Sequence, residues 1–113
     1  MPRPYEVVQN DYGDPITGTL VDGRGQPVSF PPDYELTFAM ASAVRASLYV
    51  PFREAARWID SAVGRWAYDF VDPQLALPGP FKAEVQVLTP AGPITFPRSG
   101  AFDVLVRAEV VPG

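Results

Sequence analysis

Cysteine and histidine are both absent from the 113 residues of this chain. Without cysteine there is no disulfide, no thiolate nucleophile and no cysteine-ligated zinc. Without histidine the chain lacks the commonest general base and metal ligand, so a Ser-His-Asp triad cannot form. We therefore expect a protein that is not an enzyme and that holds no metal and no cofactor.

Positive charge is also scarce, with nine Lys and Arg residues against 13 Asp and Glu and a net charge of −4. The arginines are scattered and form no basic cluster of the kind that displaces counterions from nucleic acid. No apolar run approaches the roughly 20 residues of a membrane-spanning helix, and the first residues show no apolar stretch typical of a secretory signal. The sequence thus predicts no nucleic-acid partner and no membrane insertion.

Proline and glycine are abundant, with 14 and nine residues, and they stand mostly between short apolar runs. Each internal proline costs a helix about 3 kcal/mol, so this distribution opposes long helices and favours short strands joined by turns. The length is that of one domain. We predict a single all-β domain over residues 1–113, with about seven to eight short strands packed as an antiparallel sandwich.

Alternation of apolar and polar residues marks the individual strands. It is clearest in residues 81–87 and recurs in residues 64–71 and 102–110. Such a pattern is typical of strands with one face on the core and one face in solvent. The residues predicted to be buried on the apolar faces are Leu36, Phe38, Trp66, Tyr68, Phe70, Phe81, Val85, Val104 and Val106.

Residues 53–60 are ambiguous, because their pattern fits more than one structure. Phe52, Ala56 and Ile59 follow a helical spacing, whereas the β-prone residues before Phe52 and the Asp60-Ser61 turn favour strands. The balance favours two short strands over one helix and leaves both open.

Two groups of carboxylates contain residue types that could bind a cation or act as an acid/base pair. The three aspartates between Asp11 and Asp22 are near enough in sequence for an oxygen-ligated cation, but their spacing does not match an EF-hand loop, so turn and capping roles are favoured. Asp69 and Asp72 with Glu84 contain the residue types of an acid/base pair. Their positions on the polar face of a strand and in a turn favour solvated side chains instead.

Three segments of the chain form an ordered set of motifs. Residues 12–28 contain a Gly-Asp opening, a Thr-Leu pair and an Asp-x-x-Gly-x-Pro-Val turn. Residues 64–70 form an aromatic strand, and residues 78–97 form a hairpin that begins Pro-Gly-Pro-Phe and ends Thr-Phe-Pro. This set resembles the immunoglobulin-like domain of tailed-phage structural proteins and is similar to the N-terminal domain of the phage baseplate upper protein. The resemblance extends over about residues 12–110.

The resemblance implies an immunoglobulin-like fold and a role as a non-enzymatic structural protein of the virion. Such a protein packs in multiple copies against other virion proteins in the tail, baseplate or neck, and it resides in the host cytoplasm before assembly. A carbohydrate-binding or host-surface adhesin module, or a module that decorates a capsid, is the alternative from a different functional class.

Partner contacts are expected where apolar residues exceed what a small sandwich can bury. Segment 43–52 is unusually apolar for a loop, and the ends of the chain are also rich in apolar residues. The candidate interface residues are Tyr5, Tyr49, Phe52, Trp58, Ile59 and Val111.

Overall fold

Strands and turns account for nearly all the regular structure. The computed structural model describes residues 4–45, 47–97 and 101–109. Its strands are β1 (Tyr5–Val8), β2 (Ile16–Thr19), β3 (Glu35–Ser42), β4 (Phe52–Asp60), β5 (Arg65–Tyr68), β6 (Gly79–Thr89), β7 (Gly92–Phe96) and β8 (Phe102–Arg107), and a short 3₁₀ helix, Ser61–Val63, lies between β4 and β5. The all-β prediction is confirmed. Within these residues, no helix has both the length and the hydrophobicity to span a membrane.

The strands follow one path through a mixed sheet. Their order is β1-β8-β6-β3-β4-β5-β2, and β8 and β7 pair with successive parts of β6. The path curls until its two ends, β1 and β2, border the same groove, which makes the sheet nearly barrel-like. The predicted antiparallel pairing is wrong at one place, because β1 runs parallel to β8. These strands lie at opposite ends of the chain, so no hairpin sets their relative direction.

Strand β4 resolves the ambiguous segment as one strand of nine residues, neither a helix nor two short strands. Its first half pairs with β3 and its second half pairs with β5. Only Phe52, Ala56 and Trp58 are partly buried along it. Their spacing is four and then two residues, which combines a helical interval with a strand interval and explains the ambiguity.

The core is built from the apolar faces of these strands. Phe38 is fully buried at its centre, where its ring stacks on Tyr68 with a centroid distance of 4.7 Å and meets Phe70 edge-on at 5.7 Å. Such aromatic pairs stabilise the fold by about 0.5–1.5 kcal/mol beyond the burial itself. All nine residues predicted to be buried are buried: Leu36, Phe38, Trp66, Tyr68, Phe70, Phe81, Val85, Val104 and Val106.

Two glycines allow close approaches that a side chain would block. A Cβ on Gly18 would lie 2.9 Å from the Trp66 ring, so the indole can cross β2 only at a glycine. Gly64 has a φ of +68° and a Cβ there would lie 2.6 Å from the Val28 carbonyl oxygen. Both positions therefore require glycine for packing, and Gly64 also for its left-handed backbone.

Candidate protein-contact site

Three loops meet at one end of the sheet, which we call the anchored end. They are residues 9–15 between β1 and β2, residues 43–51 between β3 and β4, and residues 69–78 between β5 and β6. The strand directions place these connections at the same end, because each loop follows a strand that runs towards it.

Loop 69–78 is the centre of this end. Leu75 is fully buried, its N–H donates to the Tyr12 hydroxyl oxygen at 3.2 Å, and its carbonyl accepts the Asn10 N–H at 3.0 Å. The Gln9 side-chain amide donates to the Ala76 carbonyl at 2.8 Å. These bonds fasten loop 9–15 to loop 69–78 although more than 60 residues separate them.

Gln74 organises the start of the same loop. Its side-chain carbonyl accepts the Tyr68 hydroxyl at 2.8 Å and the Val71 N–H at 2.9 Å. Tyr68 belongs to the buried end of β5, so these two bonds connect the loop to the core. A buried hydroxyl is costly unless it is hydrogen-bonded, and here it is satisfied.

Tyr49 holds loop 43–51 against this base. Its hydroxyl donates to the main-chain carbonyl of Gln74 at 2.8 Å, and its ring meets Phe81 edge-on with a centroid distance of 4.6 Å. The Tyr49 N–H donates to the Ser47 hydroxyl oxygen at 3.1 Å, which shapes the turn before it. Burial, with smaller contributions from Tyr68 and Tyr12, raises the pKa of the Tyr49 hydroxyl well above its ordinary value. The hydroxyl therefore stays protonated and acts as a donor.

Aliphatic side chains flank this anchor and face solvent. Leu48 is 91% exposed and Val50 is 79% exposed, directly before and after Tyr49. Val44, Leu48 and Leu77 line a shallow depression of about 280 Å³. We call Val44, Leu48, Val50 and Leu77 the aliphatic patch. Removing such surface from water is favourable by about 25 cal/mol per Å², so the patch is suited to contact an apolar partner.

Two of the three aspartates considered as a cation site, Asp11 and Asp22, act in turns. The Asp22 carboxylate accepts the Arg24 N–H at 2.8 Å and the Gln26 N–H at 3.1 Å. Asp11 accepts the Gly13 N–H at 3.1 Å. These are the turn roles that the sequence favoured. In the described part of the chain, no three His, Cys, Asp or Glu side chains gather as a candidate metal site.

Two of the three carboxylates considered as an acid/base pair, Asp69 and Glu84, are bound to arginines. Asp69 accepts two hydrogen bonds from Arg57, at 2.9 and 3.2 Å, and this partner lowers the pKa of the Asp69 carboxyl. Glu84 of β6 forms an ion pair with Arg53 of β4, across the intervening strand β3. Asp69 and Glu84 therefore have different arginine partners.

The predicted interface residues do not share one surface. Phe52 is half-buried and packs on Phe38 and Tyr68 with centroid distances of 6.0 and 5.8 Å. Tyr5 is half-buried beside Val104 in the β1–β8 pair.

At the far end of β4, Trp58 is half-buried, stacks on Phe30 at 5.8 Å and donates its indole N–H to the Tyr34 carbonyl at 2.8 Å. Ile59 is 47% exposed. Val111 lies outside the described residues. Among the five candidates that the structure describes, Tyr49 is the one that hydrogen-bonds to a loop of the anchored end, and there its ring supports the loop.

The sequence singled out segment 43–52 and did not indicate which side chains it exposes. Leu48 and Val50 sit on either side of Tyr49, in a loop that ends at Pro51. This local alternation was the available signal, because a buried aromatic residue turns its two neighbours away from the surface on which it rests.

No protein-family model matches the chain, and no curated protein matches its sequence. The role of the chain is therefore inferred from the aliphatic patch, from the loops that hold it and from the motif resemblance.

Proposed function

We propose that the chain is a non-enzymatic structural protein of a tailed-phage virion, which packs in several copies against other subunits of the tail, baseplate or neck. The observation that carries the proposal is the pair Leu48 and Val50, which are held in solvent by the anchored Tyr49 between them. Aliphatic side chains next to a residue that is fixed on the core suit a permanent protein contact, because little conformational freedom is lost there on binding.

The strand order supports the finer proposal of an immunoglobulin-like sandwich. Strand β4 divides the path into a group β1-β8-β6-β3-β4 and a group β4-β5-β2. In immunoglobulin-like domains one sheet contains strands C, F and G and the other contains A, B, E and D. With β3, β6 and β8 as C, F and G, and with β2, β5 and the second half of β4 as B, E and D, both groups fit this arrangement.

The chemistry of the exposed surface favours a protein partner over a glycan. A glycan platform would present flat aromatic rings to solvent. The large apolar side chains that the described residues expose are all aliphatic, whereas Tyr49 and Trp58 rest on Phe81 and Phe30. We therefore do not propose the carbohydrate-binding alternative.

A double substitution in the patch tests the proposal. The Leu48→Ser/Val50→Ser variant keeps Tyr49 and the core, so it should fold normally and fail to join tail particles assembled with the products of the flanking genes. The matched control is Val63→Ser/Leu88→Ser, which changes two aliphatic residues that are 41% and 38% exposed away from the anchored end. Incorporation is measured by electron microscopy and by the protein content of purified particles. Normal incorporation of the patch variant would refute the proposed contact.

A further inference from the structure

A second cavity lies away from the aliphatic patch, where the two ends of the strand path face each other. It is a groove of about 620 Å³ between β2 on one side and the first residues of β1 and β8 on the other. Its apolar lining includes Leu20, Trp66, Phe96 and Phe102. The volume lies within the roughly 300–1,000 Å³ range of ligand pockets.

One rim of the groove is an open strand edge. In the described part of the chain, β2 pairs with β5 alone. The Leu20 N–H donates to the Gly64 carbonyl at 2.9 Å, and the same register places Gly18 opposite Trp66. Because the bonding residues alternate in an antiparallel pair, the N–H and C=O groups of Thr17 and Thr19 point away from β5 and towards the groove.

The other rim is an open edge as well. The Gln9 N–H donates to the Arg107 carbonyl at 2.8 Å, and this bond sets the phase of the parallel β1–β8 pair. Because every second residue of β1 bonds to β8, the backbone N–H and C=O groups of Tyr5 and Val7 also point towards β8, and those of Glu6 point away from it. Glu6 does not line the groove, and Tyr5, which does, directs its backbone groups to β8. The free backbone donors and acceptors therefore border the groove on the β2 side.

The charge of the lining indicates what kind of occupant fits. Its single ionised side chain is Asp103, which already forms an ion pair with Lys82. The remaining lining residues are apolar, Gly or Thr, so a charged ligand would lose its hydration without gaining a partner. An uncharged extended segment can hydrogen-bond through its backbone to the edge of β2. Its apolar side chains can also cover the apolar lining of the groove.

We propose that this groove accepts an extended strand of a partner protein, which pairs with the free edge of β2 and places alternate apolar side chains over Trp66 and Phe102. This is the strand-addition mode of recognition, in which main-chain bonds provide affinity and side-chain pockets provide selectivity. The edge carries no lysine and no proline within β2 that would block such pairing. The inference does not depend on the virion role proposed above.

A second copy of β2 fits the groove less well than a partner strand does. In a β2-to-β2 pair, Ile16 and Leu20 of the second copy would remain in their own core, where they are 1% and 3% exposed. The Ile16 and Leu20 side chains of that copy would then not cover the apolar lining of the groove. The observations therefore favour a free strand whose inward-facing side chains are available to fill it.

The test uses fluorescein-labelled hexapeptides that alternate Thr with Val, Leu or Phe, and it measures their binding to the whole chain by fluorescence anisotropy. We expect at least one of the three to bind saturably. N-methylation of one alternate set of its amides should weaken binding about tenfold or more, and methylation of the other set should leave it within about threefold, because only one set faces β2.

The protein variants sharpen the result. Thr17→Pro removes an outward N–H without touching the bonds to β5 and should abolish binding, whereas Thr17→Val retains that N–H and should bind like the original chain. Circular dichroism checks that both variants fold. If Thr17→Pro does not fold, the N-methylated peptides alone test the proposal.

The proposal is overturned if none of the peptides binds, if both methylation sets act alike, or if a folded Thr17→Pro binds normally. Self-association that Thr17→Pro abolishes, without peptide binding, would assign the edge to a second copy and also overturn it.

Discussion

The two ends of the sheet differ in the side-chain groups that hold their loops. At the anchored end, Tyr49 reaches Gln74 across 25 residues of sequence, and Gln9 reaches Ala76 across 67. These side chains fasten loops to one another. The backbone of each loop therefore depends on the presence of the others.

At the opposite end, which we call the turn end (loops 20–34, 61–64 and 90–91), two carboxylates act within their own turns. Asp22 accepts N–H groups two and four residues ahead, and Asp60 accepts the Ala62 N–H at 3.1 Å. Aromatic packing between Phe30 and Trp58 covers the core at this end. Loop 20–34 is in addition tied to distant residues, because the Trp58 indole N–H donates to the Tyr34 carbonyl at 2.8 Å and the Phe30 N–H donates to the Ser61 carbonyl at 2.9 Å.

The two ends also differ in what they expose. Val44, Leu48, Val50 and Val71 at the anchored end are each more than half exposed, whereas Ile59, at 47%, is the most exposed large apolar residue described at the turn end. A loop held by distant contacts keeps its backbone in place without burying every apolar side chain. The comparison shows how a small protein can display aliphatic residues in a defined geometry.

The largest effect is expected from removing the support beneath the anchored end. Phe81 is 2% exposed and carries the Tyr49 ring, so Phe81→Ala should lower the free energy of unfolding by about 3–5 kcal/mol. Urea unfolding at neutral pH measures this loss. The control Val63→Ala, at a residue 41% exposed at the turn end, should change it by less than about 0.5 kcal/mol. Similar values for the two variants would contradict the comparison.

A smaller effect is expected from cutting the long-range hydrogen bond alone. Tyr49→Phe keeps the ring on Phe81 and removes the donor to Gln74, which should cost about 1 kcal/mol. Amide hydrogen exchange of residues 47–50 should rise more than that of the turn end. Tyr34→Phe is the control, because the Tyr34 hydroxyl makes no hydrogen bond with the described residues; equal effects of the two would argue against an anchor.

The same hydroxyl predicts a dependence on alkaline pH. The pKa of Tyr49 is raised in the folded protein above its ordinary value of 10.0, so the folded state keeps a proton that the unfolded chain loses. Stability from this group is therefore complete below pH 10 and declines as the pH rises above it. Urea midpoints between pH 9 and pH 11 should fall for the original chain and fall less for Tyr49→Phe. Tyr68, whose pKa is also raised by burial, should account for part of the remaining slope.

The smallest effect on stability is expected at the aliphatic patch itself. Because Leu48 and Val50 are largely exposed in the isolated chain, Leu48→Ser/Val50→Ser should change the free energy of unfolding by less than about 0.5 kcal/mol. Thermal and urea unfolding both measure this. A loss of more than about 1.5 kcal/mol would show that these side chains serve the fold, and it would remove the basis for calling the patch a contact surface.

Much of the fold could be predicted because strand patterning is local. Residues 81–87 alternate cleanly, and they form the centre of β6 with Phe81, Val85 and Val87 buried. The pattern failed at β4, where each half has a different partner and few residues are buried. A strand that changes partner midway does not keep one apolar face, so its residues carry no clear period.

The candidate site was predictable only as a segment. The apolar composition of residues 43–52 predicts partner contacts, but it does not show that the rings of Tyr49 and Phe52 pack on the core. Both rings find places on the core, on Phe81 and Phe38. Large aromatic residues near a small core are readily recruited to it, which leaves the adjacent aliphatic residues outside.

The sequence by itself determined that the chain is all-β, nine of the residues that form its core and the turn roles of Asp11 and Asp22, because alternation and turn chemistry act over a few neighbouring residues. The tertiary structure alone decided the parallel pairing of β1 with β8, the exposure of Leu48 and Val50, and the open edge of β2. Each of these depends on residues far apart in the chain. Their relative positions follow from the packing of the whole core, and no local pattern encodes them.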